Sequence, residues 1–170
     1  MTLPASFSSY IIVKATKVDK KDIKRFYRNQ RYGARYIGQD QCYLVKINNI
    51  IVACAIISAG QENGNFWLLH GLVTDKAHRH KGIAGLLLRT IMSESEVTKD
   101  QVNLTAYPKI ICFADNALSS FYLKNHFILY NHCHEIALLP FEFKQRLTRY
   151  REKQTNLHCF LYSANVALSA

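Results

Sequence analysis

The sequence lacks any run of about 18 apolar residues, the length that a helix needs to cross a bilayer. Its opening stretch, MTLPASFSSYIIVKA, places no basic segment ahead of a long apolar one. The reading therefore predicts no membrane span and no secretory leader, and a cytoplasmic setting is expected. A CxxC pair is also missing. The cysteines Cys42, Cys54, Cys112, Cys133 and Cys159 are odd in number and widely spaced, and four of them fall in apolar segments, which fits free buried thiols better than a disulfide frame. The GxxxxGK[ST] spacing of a Walker loop is absent, as is the full GxGxxG of a dinucleotide site. Internal repeats, linkers and low-complexity tracts are absent too.

Acids are scarce, with 12 Asp and Glu against 22 Lys and Arg, and the resulting net charge of +10 is uneven. Residues 14 to 35 hold Lys14, Lys17, Lys20, Lys21, Lys24, Arg25, Arg28, Arg31 and Arg35 against Asp19 and Asp22. A second group is Lys144, Arg146, Arg149, Arg151 and Lys153. Such an excess fits a polyanionic partner, whether a phosphorylated cofactor, a nucleic acid or an acidic protein; it equally fits a solvated face.

What is present is an apolar fraction of 49% in 170 residues, enough for one buried core, and residues 1–170 are read as a single domain. Tyr10 to Val13 is a short β-rich run. Asp19 stands where it would cap a helix, with Val18 and Ile23 placed as a hydrophobic staple. Ile23, Phe26 and Tyr27 recur at helical spacing, and Gly33 is the expected end. Strands at Gln41 to Ile47 and Ile50 to Ser58 are joined at Asn48-Asn49, residues that tolerate a left-handed hairpin turn. Residues 60 to 64 form a turn before a strand at Phe66 to Thr74. From Gly82 to about Ser95 a helix turns Ile83, Leu86, Leu87 and Ile91 to one face. A buried-type strand at Lys109 to Ala114 leads to a helix capped by Asp115 or Asn116, with Leu118, Phe121, Tyr122 and Asn125 inward. Phe127 to Leu139 reads as a strand, Pro140 opens a short basic helix carrying Phe143, Leu147 and Tyr150, and a last strand covers Leu157 to Tyr162.

The segment that carries chemistry runs from Leu72-Val73-Thr74 through Asp75-Lys76-Ala77-His78-Arg79-His80-Lys81 to Gly82-Ile83-Ala84-Gly85. A strand passes through a basic turn into glycine and an amphipathic helix. Several unpaired backbone amides and the positive end of the helix dipole are thereby aimed at one point, the design of a pyrophosphate site. Gly82, Ala84 and Gly85 keep side-chain bulk low there, and Arg79 and Lys81 add charge. A tight structural turn is the alternative.

At these residues the chain resembles the GCN5-related N-acetyltransferase (GNAT) superfamily. The family signature, Gln or Arg, two residues, Gly, one residue, then Gly or Ala, stands here as Arg79-His80-Lys81-Gly82-Ile83-Ala84. A second segment, Asp115-Asn116 followed by Phe121-Tyr122 and His126-Phe127, is similar to the family's Asn or Asp, aromatic-Tyr pair and Gly-Phe. The order of elements agrees over about residues 10 to 163. The resemblance implies an α/β (α+β) fold: a mixed, mostly antiparallel sheet of six to seven strands, splayed between the fourth and fifth, with about four flanking helices. It implies acetyl-coenzyme A as cofactor, with the pantetheine arm on Leu72, Val73 and Thr74, the pyrophosphate on the amides of Arg79, His80, Lys81, Gly82, Ile83 and Ala84, Gly85 in the same cofactor site, and Asp115 or Asn116 touching the arm from the far side. His126 in place of Gly implies a different turn geometry; Lys76 replaces a frequent Pro.

Acetyl transfer to an amine needs a base for the ammonium and an acid for the departing thiolate. By the family's pattern Tyr122 is the proton donor. Many relatives carry a glutamate on the strand before the signature, and Phe66 to Thr74 has none. His70, on the face of Leu72 and Thr74, has a side chain suited to the base role; a packed core histidine is the other reading. His132 and His134 would share a strand face, but two ligands fall short of a zinc site, so no metal is expected. The function expected is acetyl-CoA-dependent N-acetyl transfer to a primary amine by direct attack on the thioester, by a monomer or homodimer that does not act on membranes. A non-catalytic acyl-CoA-binding regulator and a nucleic-acid or aminoacyl-RNA-directed enzyme remain as alternatives.

Overall fold

The computed structural model describes residues 10–35, 39–60, 66–94, 107 and 109–163. Among these residues the elements run β1 (Ile11–Lys14), α1 (Lys20–Asn29), β2 (Gln41–Ile47), β3 (Ile50–Ala59), β4 (Phe66–Thr74), α2 (Ile83–Ser93), β5 (Lys109–Asp115), α3 (Ser119–Lys124), β6 (Ile128–Leu129), α4 (Cys133–Ala137), α5 (Phe141–Lys153) and β7 (Leu157–Ser163). The strands form one mixed sheet in the order β1-β2-β3-β4-β5-β7-β6. The expected fold class is present, with the larger of the two strand numbers. β4 and β5 are parallel in a register running from Phe66–Lys109 to Leu69–Cys112, whereas β5 and β7 pair antiparallel from Lys109–Ser163 to Asp115–Leu157.

Local chemistry explains several of these elements. Asn48 and Asn49 take φ of 48° and 64°, the two left-handed residues that a two-residue hairpin turn requires. β3 is buried from Ile51 through Ser58, so its sequence is a continuous apolar run instead of an alternation. In α2 the buried residues include Ile83, Leu87, Leu88, Ile91 and Met92, while Leu86 is half-buried.

The chain divides into two compact units: residues through Ile56 with Gly71–Thr90, and Ile57–His70 with residues from Ile91 onward. The core of the first packs Ile23, Phe26 and Tyr27 of α1 with Cys42, Leu44, Cys54, Ile56 and Val73. That of the second gathers Leu68, Ile111, Leu139, Phe143, Cys159 and Leu161. Trp67 packs edge-on against Tyr107, ring centroids 4.9 Å apart, in the second unit.

The expectations at several element ends are corrected. Asp19 does not cap α1 with its side chain. Its carboxylate accepts instead from Thr16 N–H at 2.9 Å and from Lys46 Nζ at 2.8 Å, closing a capping box around the 3-10 turn Lys17–Asp19. Val18 is 85% exposed, so the staple does not form. Gly33, the expected end of α1, takes no part in its terminus. Arg31 adopts φ 53°, and the N–H groups of Arg31 and Tyr32 donate to the carbonyls of Arg28 and Tyr27 at 3.0 and 2.9 Å, a complete Schellman motif. Leu118, expected inward, is 48% exposed because it closes a 3-10 turn ahead of α3.

The expected strand from Phe127 to Leu139 is β6 over two residues and then α4. His132 is the N-cap, and its backbone N–H donates to Glu135 Oε2 at 2.8 Å, so a capping box ends the extended run where an apolar reading continues it. Of the expected turn at 60 to 64, residues 61 to 64 lie outside the described residues, as does Ser95 at the expected end of α2.

Candidate functional site

In the first unit β4 delivers the chain into a turn held from inside. Asp75, the N-cap of the 3-10 turn Lys76–His78, accepts from Ala77 N–H at 3.0 Å. Its carboxylate also meets His78 Nδ1 at 3.0 Å and accepts from Gln30 Nε2 at 2.8 Å, and its own N–H donates to Val52 O at 2.7 Å. The His78 contact is the main cause that holds the Asp75 carboxyl below its ordinary range, against a rise from burial. Arg79 Nε donates to Thr74 O at 3.2 Å, which anchors its guanidinium over the strand end.

Beyond this turn His80 and Gly82 take φ of 61° and 77°, on either side of a residue with ordinary backbone. Such alternation turns successive N–H groups to one side, the geometry of an anion-binding nest. The φ of Gly82 favours glycine, and a Cβ built there meets nothing within 4 Å, so the space beside it is open. Arg79, His80, Lys81 and Gly82 are exposed, Ala84 is half-buried, and Ile83 and Gly85 are buried. The first intrahelical bond of α2 is from Leu86 N–H to Gly82 O at 3.0 Å, and the early amides of the helix have no partner earlier in the helix. A charged, open cradle of main-chain donors results, chemistry that fits a diphosphate. Leu72 and Thr74 are half-buried and Val73 is buried.

A second feature was not anticipated from the sequence. Gly71 sits inside β4 with φ 60°, the mark of a bulge, and Tyr27 Oη donates to its carbonyl at 2.6 Å. A Cβ there would lie 2.8 Å from that hydroxyl oxygen. A lone glycine within a strand pattern is the one signal that could have flagged it.

In the second unit Asp115, not Asn116, caps the turn after β5, accepting from Ala117 N–H at 2.8 Å. Asn116 accepts from Ser119 Oγ through both its carbonyl at 2.7 Å and its side chain at 3.0 Å. Tyr122 is buried on α3, stacked on Phe160 at 5.1 Å and edge-on to Phe127 at 5.4 Å. His126 adopts φ 66°, so the histidine itself enters the left-handed region that glycine favours. The N–H groups of His126 and Phe127 donate to the carbonyls of Leu123 and Tyr122 at 3.2 and 3.1 Å, another Schellman motif, whose apolar contact is the Tyr122–Phe127 pair. Burial raises the Cys112 thiol well above its ordinary value, with Cys159 adding to the rise, while a hydrogen bond to Tyr122 opposes it.

His70, half-buried on β4, shares a hydrogen bond of 2.7 Å between its Nε2 and Ser58 Oγ. His132 and His134 do stand together, rings stacked at 5.6 Å, but at a helix start and not along a strand. Among the described residues no group of three His, Cys, Asp or Glu is placed to hold a metal. The cradle and the strand end Leu72 to Thr74 thus lie in the first unit, whereas His70, Asp115, Asn116 and Tyr122 lie in the second.

Comparison with known families matches residues 38–129 to the acetyltransferase (GNAT) domain. Among solved structures, a GNAT-family acetyltransferase from Staphylococcus aureus aligns at TM-score 0.62 and 17% identity over 91% of this chain and 99% of its own. Arabidopsis thaliana Naa50, in complex with the bisubstrate analogue CoA-Ac-MVNAL, aligns at TM-score 0.60 and 14% identity over the same shares. N-acetylglutamate synthase from Neisseria gonorrhoeae, complexed with coenzyme A and N-acetyl-glutamate, gives TM-score 0.65 and 15% identity over 95% of this chain, which spans 36% of that protein's length. These likenesses bear on the fold. A comparison with curated proteins gives no match.

Proposed function

Because the chain belongs to the GNAT acetyltransferase family, we propose that it transfers an acetyl group from acetyl-coenzyme A to a primary amine by direct attack on the thioester. The observation that carries the reading is the cradle after β4, where left-handed His80 and Gly82 leave a concave row of amides open beside Arg79 and Lys81. The residues present fit a diphosphate, and two of the similar structures are complexes with coenzyme A or a conjugate of it. Leu72, Val73 and Thr74 offer the main chain of a strand end to the amide-bearing arm, and Asp115 and Asn116 are assigned to that arm as well.

Acetyl-coenzyme A supplies an activated acyl group and a thiolate leaving group. His70 takes the proton from the acceptor ammonium, directly or through water; its bond to Ser58 fixes the ring. Tyr122, immobilised by Phe160 and Phe127, gives its phenolic proton to the departing sulfur.

Calorimetry with acetyl-CoA and release of free thiol in the presence of amines test the scheme. Gly82→Asp puts a charged side chain into the open space and is expected to abolish uptake. Tyr122→Phe is expected to lower kcat by about 10²-fold or more with acetyl-CoA affinity kept, the scale of general acid catalysis. His70→Ala is expected to lower kcat most at the pH values where an imidazole is neutral and the acceptor amine is still protonated, and to differ least from wild type in acid, where the histidine itself carries a proton. Uptake that survives Gly82→Asp unchanged would sink the proposal.

A further inference from the structure

A cavity of about 610 Å³ opens beside α1, within the range typical of small-molecule sites. Ile23 and Tyr27 are its buried lining, and its exposed rim carries Lys24, Arg28 and Arg35 together with Tyr32. The tyrosines are placed by the Schellman motif that ends α1: Tyr32 N–H donates to Tyr27 O, and the two rings lie 5.9 Å apart. The cavity shares no residue with the cradle around Gly82.

Its charge is one-sided. No acid stands among the described lining residues, and among the described residues none of the three cations forms an ion pair. The two acids of α1 and the turn before it are engaged elsewhere, Asp22 with Arg25 at 2.6 Å and Asp19 with Lys46 at 2.8 Å. Lys24 and Arg28 are four residues apart on one helix, a spacing at which like charges repel and which a bound anion relieves. The guanidinium groups bring planar donor pairs that match a carboxylate or phosphate.

The position relative to β4 gives the cavity its role. Tyr27, part of the lining, donates to the carbonyl of Gly71, the residue just before Leu72 to Thr74. We propose that this cavity is the acceptor subsite and that the acceptor is a small amine carrying an acidic group, a carboxylate or a phosphate, held by Lys24, Arg28 and Arg35; the inference rests on the acetyl-transfer reading.

The test begins on protein without cofactor, by calorimetry with L-aspartate, O-phosphoethanolamine and putrescine. At least one of the two acids binds, putrescine does not, and the tighter acid identifies carboxylate or phosphate as the recognised group. Arg28→Ala and Arg35→Ala each weaken that acid about tenfold or more, as expected for a hydrogen bond to a charged group. Both leave acetyl-CoA affinity unchanged, and in turnover KM for the acid rises while kcat is kept. The proposal is overturned if putrescine binds as well as the acids, or if the arginine variants weaken acetyl-CoA as much as they weaken the acid. It is also overturned if a single-stranded RNA binds more tightly than either acid and loses that advantage in Arg28→Ala. The two readings fail separately. Wild-type protein that takes up no acetyl-CoA sinks the transfer chemistry, whereas uptake of acetyl-CoA without either acid sinks only the acidic acceptor.

Discussion

At the residue scale the five thiols divide by burial, with Cys42, Cys54, Cys112 and Cys159 inside and Cys133 exposed. Burial pushes the Cys159 thiol up to about 12 and Cys112 well above its ordinary value, and the Cys54 sulfur, 3.2 Å from that of Cys42, raises Cys42. A colorimetric disulfide reagent at pH 8 is therefore expected to titrate one thiol in the native protein and five in denaturant. More than one fast thiol in the native protein would contradict this burial pattern. The apolar setting of four cysteines was legible in the sequence, and the closeness of Cys42 and Cys54 follows from the Asn48-Asn49 hairpin, which makes β2 and β3 neighbours in the sheet. His126 is a second case. A left-handed residue other than glycine costs roughly 1–2 kcal/mol, part of which glycine returns as chain entropy. His126→Gly, at an exposed site with φ 66°, is expected to stabilise the protein by about 0.5–1 kcal/mol in urea denaturation.

At the scale of elements, what a periodic pattern spells out was readable and what a carboxylate does was not. The α2 face, the Asn48-Asn49 hairpin and the strand–turn–helix around Gly82 follow from spacing and from residues with known backbone preferences. The stretch 127 to 139 failed because apolar content without a period does not separate strand from helix; Glu135 decided it by reaching back to His132. Asp19 likewise binds Lys46, a partner 27 positions away. β4 shows the same limit. Its bulge needs Tyr27, 44 residues earlier in the chain, to tie down the Gly71 carbonyl. Gly71→Ala adds left-handed strain to a contact that must move the Tyr27 hydroxyl, and a loss of about 2 kcal/mol or more is expected in thermal or urea unfolding. Tyr27→Phe removes only the hydrogen bond and is expected to cost about 1–2 kcal/mol, since the buried carbonyl loses its donor.

For the molecule as a whole, two depressed carboxylates among the described residues set the direction of the acid response. Asp19, lowered chiefly by its hydrogen bond to Lys46, and Asp75, lowered chiefly by His78, both have folded-state values below the unfolded reference of 3.8. Each contributes stability that is fully present above that reference and is lost as pH falls through the lower, folded value. Urea midpoints are expected to fall steeply below pH 4, and less steeply in Asp75→Asn, which has nothing left to titrate there. The family was legible because its two signature segments stand at the ends of β4 and β5, where backbone geometry leaves few residue choices. The proposed acceptor subsite was not, because Lys24, Arg28 and Arg35 read only as a basic stretch until the helix end folds Tyr32 onto Tyr27.

Trp67 is the only tryptophan in the chain and belongs to the second unit, against Tyr107. Indole emission during denaturation therefore watches that unit alone, whereas far-ultraviolet dichroism averages over the entire backbone. Coincident curves from the two signals mean that the protein melts in one cooperative step, and a gap between them dates the loss of the half that carries the cradle.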